Sequence, residues 1–170
     1  MKDNRGITLI ELLVVMIIIG VLGGASIFGA RILGLGTAKS STGRISAFLD
    51  YVQVENMTKN KIYYMIIKKG NDKDYYLIVE TADGTVVRSE KLDLVRGEIT
   101  FYKKNDPTKY SVKNLTLDGE EVNLEVSFLK ESGGIRENRS HDKVTQIGIS
   151  SAGRSYSIRL VEVTGRHYID

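Results

Sequence analysis

The chain has 170 residues, 42% of them hydrophobic and 26% charged, which is enough for one folded core and excludes a disordered or collagen-like chain. Its 24 Lys and Arg against 21 Asp and Glu leave a net charge of +3, which by itself calls for neither a nucleic acid nor a membrane surface as partner. The absence of cysteine excludes a disulfide framework, a zinc ribbon and a thiol nucleophile, and His141 and His167 alone offer little to a metal, so no metal or cofactor is expected.

The chain opens on a short polar leader, Met1-Lys2-Asp3-Asn4-Arg5-Gly6. Residues 7–30 follow with a single charge, Glu11, and no proline. As a helix this stretch would reach about 36 Å, against a hydrocarbon core of roughly 30 Å, so it is predicted to span a bilayer. Lys2 and Arg5 should stay cytoplasmic, which leaves Arg31 and all that follows outside. Gly23-Gly24-Ala25-Ser26 has the small residues of a secretory cleavage site. The Gly6 to Ile7 junction is the better candidate, because a cut there keeps the helix whole and frees an amine on Ile7. Glu11 needs a partner, since a carboxylate near the start of a membrane helix is costly when charged and unpaired. The headgroup region, a proton, or the Ile7 amine of a neighbouring copy would each serve. Gly20, Gly23, Gly24, Gly29, Gly34 and Gly36 either favour local unwinding or let helices approach closely.

Ile45, Phe48, Leu49 and Val52 then recur at helical spacing, which predicts an amphipathic arm within residues 31–60. Lys39-Ser40-Ser41-Thr42-Gly43 either interrupts this arm or lies within one long helix. From Lys61 the composition turns to β-branched and aromatic runs between turn residues, predicting a β-rich head over residues 61–170. The predicted strands are 62–68, 75–81, 86–92, 98–103, 110–117, 122–129, 144–150 and 156–163. Turns are predicted at Ala82-Asp83-Gly84-Thr85, Asn105-Asp106-Pro107, Leu117-Asp118-Gly119-Glu120 and Ser151-Ala152-Gly153-Arg154. Leu160, Val161 and Val163 are expected to help cover the helix. The fold class is therefore α+β: a long N-terminal transmembrane helix packed on a mostly antiparallel, sandwich-like head.

Catalytic patterns are missing. Gly148-Ile149-Ser150-Ser151-Ala152-Gly153 lacks the spacing of a nucleophile elbow and reads as a hairpin. No phosphate-binding loop follows Gly70 or any other glycine, so ATP use is not expected, and the chain is not expected to be an enzyme. Asn56-Met57-Thr58, Asn114-Leu115-Thr116 and Asn138-Arg139-Ser140 match a glycosylation triplet that is common by chance. Residues 130–143 form either a binding loop or, with more weight, a solvated connector.

Gly6-Ile7-Thr8-Leu9-Ile10-Glu11-Leu12-Leu13-Val14-Val15-Met16-Ile17-Ile18-Ile19-Gly20-Val21-Leu22 closely resembles the N-terminal signature of type IV pilins and type II secretion pseudopilins. The resemblance covers about the first thirty residues. It implies cleavage after Gly6 and N-methylation of Ile7 by a prepilin peptidase/methyltransferase, and a Glu11 that registers the subunit in a filament. It also implies other pilin or pseudopilin subunits, an assembly platform and a motor ATPase as partners. Localisation would be the cytoplasmic membrane first, with the head outside, and an extracytoplasmic pilus or pseudopilus afterwards. Two departures stand out: Ile7 replaces a frequent phenylalanine, and Phe28 stands where major pilins often carry a kinking proline. A second resemblance, to H-type minor pseudopilins and related minor pilins, rests on Val126-Ser127-Phe128, Gly133-Gly134, Ile147-Gly148-Ile149, Tyr156-Ser157-Ile158 and Thr164-Gly165-Arg166. It implies a low-copy structural subunit near the filament tip. The tail Gly165-Arg166-His167-Tyr168, with Arg154 and Arg159, resembles the Gly-Arg end of some DNA-uptake minor pilins, although Tyr168 replaces their second arginine. This makes a DNA contact through Arg154 and Arg166 the alternative function.

Overall fold

The computed structural model describes residues 9–94, 96–113 and 121–170, with backbone alone for Leu9, Glu11 and residues 20–36. Among them are one helix, α1 (Leu9–Thr58), and ten strands in two sheets. The chain divides into two units, Met1–Leu33 and Gly34–Asp170.

In the second unit α1 buries Ala38, Thr42, Ile45, Leu49, Val52 and Asn56 and leaves Lys39, Gly43, Ala47, Asp50 and Val54 exposed. Spacings of three and four residues collect the buried side chains into one stripe. The helix runs without interruption through residues 39–43. Gly43 faces open space there, so it weakens the helix only through its backbone freedom. Buried Asn56 ties off the end of the helix: its Nδ2 donates to the carbonyls of Val52 and Tyr63, and its Oδ1 accepts the Tyr63 amide at 3.0 Å. An asparagine so enclosed is no glycan acceptor in the folded chain.

The first sheet runs in the order β3 (Val86–Leu92), β2 (Tyr75–Thr81), β1 (Tyr63–Lys69), β6 (Leu124–Phe128), β7 (Ile135–Arg136). The second runs β10 (His167–Ile169), β9 (Arg154–Leu160), β8 (Val144–Ser151), β4 (Glu98–Lys103), β5 (Asp106–Ser111). Every pairing is antiparallel. Met65, Ile67, Leu77 and Val126 from the first sheet share one core with Ile99, Phe101, Ile147 and Ile158 from the second and with Ile45, Leu49 and Val52 of α1. Buried Tyr75 crosses between sheets, its hydroxyl accepting the Ile99 amide at 3.4 Å.

The α+β class with antiparallel sheets agrees with the sequence pattern, and β2, β3 and β4 keep their predicted bounds. The strand predicted over 110–117 is instead β5, which starts at Asp106. Its turn falls at Lys104 and Asn105, where Asn105 takes φ 64°. Pro107 is tolerated because β5 is an edge strand, where a missing N–H need leave no gap in the ladder. The turn predicted at 117–120 lies outside the described residues. β9 ends at Leu160, so Leu160 is buried while Val161 and Val163 are 37% and 76% exposed and do not help cover the helix. The β8–β9 hairpin turns on Ala152 and Gly153, both at positive φ, as a two-residue turn of this hand requires.

Candidate functional site

Of the residues expected to act in processing and docking, Gly6 and Ile7 lie outside the described residues. Glu11 is placed on α1 by its backbone alone. Beside it Ile10 and the eight residues from Leu12 to Ile19 are all large, apolar and exposed, from 47% at Val14 to 69% at Ile10. Eight consecutive helical residues cover every side of a helix, so this segment has no polar face to turn to water and requires an apolar surrounding. Among the described residues no helix is long and apolar enough to cross a membrane. The span expected over residues 7–30 extends beyond the described side chains at both ends.

A second constellation lies in the Gly34–Asp170 unit, where two loops dock on α1. Gln53 Nε2 donates to the carbonyls of Gly133 at 2.8 Å and Thr164 at 2.9 Å. Gly133 and Gly165 both take positive φ, 68° and 64°. A Cβ on Gly165 would fall 2.0 Å from the Gly133 carbonyl oxygen and 2.6 Å from Gln53 Nε2. Gly133 and Gly165, two of the glycines in the minor-subunit resemblance, therefore meet at one side chain of the helix. Gln53 itself has no motif to mark it in the sequence, since an exposed-type polar residue in an amphipathic helix is ordinary.

The arginines of the expected DNA contact are not brought together. Arg154 opens β9, and Arg166 lies beyond its other end, where its carbonyl accepts the Val161 amide. The seven residues of β9, Arg154 to Leu160, span about 20 Å. Arg159, between them, is engaged by Asp170 at 2.7 Å. Arg166 instead borders a cavity of about 410 Å³ with Ser46, Asp50, Gln53, His167 and Tyr168. There His167 Nε2 lies 2.8 Å from Ser46 Oγ and 3.7 Å from Asp50 Oδ1. Serine and carboxylate address the same ring nitrogen, which is not the relay of a nucleophilic triad, where they sit on opposite nitrogens.

The 130–143 segment is held down rather than free. Arg139 pairs with Glu80 at 2.5 Å and Glu125 at 3.5 Å, and lies 4.6 Å from the centre of the Tyr64 ring. This arrangement lies on the sheet face turned from α1 and helps bury Tyr64 of β1 there. Among the described residues no group of His, Asp and Glu gathers to hold a metal ion.

Residues 1–27 match the family model of the prokaryotic N-terminal methylation motif. The chain carries that motif. The methylation motif includes Gly6, Ile7 and Glu11, ends before the head begins, and supports a type IV pilin-like subunit. No curated protein and no solved structure matches the chain.

Proposed function

We propose that this chain is a minor structural subunit of a type IV pilus or type II secretion pseudopilus. It is cut after Gly6, N-methylated on Ile7, held in the cytoplasmic membrane with its head outside, and then added to a filament through its N-terminal helix. The observation that carries this reading is the methylation motif over residues 1–27. It coincides with a run, residues 7–30, whose one charge is Glu11. An apolar helix that dissolves in lipid is equally able to pack against copies of itself, so one surface serves both environments. In either setting Glu11 is stabilised by an opposite charge, which the Ile7 amine of an adjacent subunit would supply. The peptidase/methyltransferase, the other subunits, the assembly platform and its motor ATPase are the partners this requires. The H-type resemblance supports the minor role, and two of its glycines, Gly133 and Gly165, form the Gln53 junction. DNA binding has less support, since Arg154 and Arg166 stand at opposite ends of β9.

The test is Gly6→Ala in the native host. The variant should accumulate as the longer, uncut form on a gel and be absent from sheared filaments; normal cutting of the variant would contradict the assignment.

A further inference from the structure

The outward face of the second sheet carries a polar trough. Inward-facing Ile147 and Ile149 fill the core, so Gln146 and Gly148 point away from it. Gly148 pairs with Thr100 on one side and Ser157 on the other. These three small outward positions form a floor running across the strands. Along the next row Tyr102 pairs with Gln146 and rises beside that floor as a wall. The resulting trough holds a cavity of about 350 Å³, at the small end of the range of about 300–1,000 Å³ found for small-ligand clefts. A Cβ on Gly148 would lie 2.7 Å from Thr100 Oγ1, so the trough exists because residue 148 has no side chain.

The lining chemistry restricts what fits. Among the described residues, the side chains of Thr100, Tyr102, Gln146, Ser155 and Ser157 make no hydrogen bond within the chain, and all line the cavity. Hydroxyl and amide groups both donate and accept, which suits a ligand whose own groups do both. A peptide cannot join as a strand, because β8 is already paired on both edges. A lipid chain or apolar helix would strand these polar groups without partners. The charges at the ends of the trough are opposite, Lys109 and an Asp170 already engaged by Arg159, which gives no cluster for a polyanion. We propose that this trough is a binding site for a neutral oligosaccharide, with Tyr102 supplying an aromatic surface for the C–H face of a sugar ring and the hydroxyl and amide groups reading its hydroxyls. The site lies wholly within the Gly34–Asp170 unit and does not depend on the reading of the N-terminal segment.

The test uses the full chain in micelles of a detergent without a sugar headgroup. Maltotriose, cellotriose and chitotriose serve as probes, followed by saturation-transfer NMR and titration calorimetry. At least one should bind saturably and without marked salt dependence. Tyr102→Ala and Gln146→Ala should each weaken it about tenfold, Gly148→Val should abolish it, and Lys68→Ala on the other sheet should leave it unchanged. If Gly148→Val does not fold, the two surface variants decide. Failure of all three trisaccharides to bind, or binding equal in every variant, overturns the proposal. So does a self-association of the chain that Tyr102→Ala removes, since the trough would then receive a second copy.

Discussion

Gly165 is where a single added carbon would do most harm. Gly165→Ala combines a left-handed backbone with a backbone oxygen 2.0 Å from the new Cβ. It should lower the unfolding free energy by about 2–4 kcal/mol. Gly153→Ala shares the positive φ but meets nothing within 4 Å, and should cost about 1 kcal/mol. Gln53→Ala, which takes the shared donor from two carbonyls, should cost about 1–2 kcal/mol. Denaturant melts of the three variants check the order, and a Gly165→Ala protein as stable as Gly153→Ala would contradict the docked-loop account. Two turn carboxylates make a second prediction. Asp83 is held at about 2 by hydrogen bonds from the Thr81 hydroxyl and then the Thr85 amide. Asp106 is held at about 2 by Thr108 and then the Tyr110 hydroxyl. Because both folded values lie below the ordinary 3.8, their contribution is fully present above that pH and is lost as pH falls towards 2. Carboxyl NMR titrations should give midpoints well under 3.8. Asp83→Asn and Asp106→Asn should each flatten the fall in melting temperature over that window. Midpoints at the ordinary value would remove both turns from the acid sensitivity.

Among the elements, α1 carries the functional argument because its exposed apolar residues, Leu12 to Ile19, leave no side for water. Within such a surface a carboxylate acts as a register mark, stable where an opposite charge meets it and costly elsewhere. Glu11→Ala should therefore leave cleavage and membrane retention intact while reducing incorporation into sheared filaments at least about tenfold, read by immunoblot; unchanged incorporation would remove Glu11 from docking. The same helix shows what the sequence makes legible. The stripe through Ile45, Leu49 and Val52 follows from periodicity, and β2, β3 and β4 follow from β-branched runs closed by turn residues. β7 and β10 do not, since two and three residues are too short for any alternation to register. β5 starts early because Pro107 reads as a turn residue, and the edge position that permits it is a property of the whole sheet. Gln53 and Arg139 join segments distant in sequence, so their roles emerge only once the sheets are assembled. The groups expected to act in processing, Gly6 and Ile7, are legible from the motif and are placed by nothing else.

For the whole molecule, the methylation motif and the head present two separate chemistries. The first carries, after a polar leader, an apolar run over residues 7–30 whose one charge is Glu11. The second is an antiparallel α+β unit whose core is closed by α1 residues from Ala38 to Val52 and whose loops are tied to that helix through Gln53. Such a division suits a subunit that inserts and polymerises through one end and presents the other. The most direct measurement is mass spectrometry of the chain's N-terminus on material sheared from cells, because it reads processing and location together. The account predicts a first residue of N-methylated Ile7 on chain recovered from filaments. A chain that still begins at Met1 and never leaves the membrane fraction would contradict it.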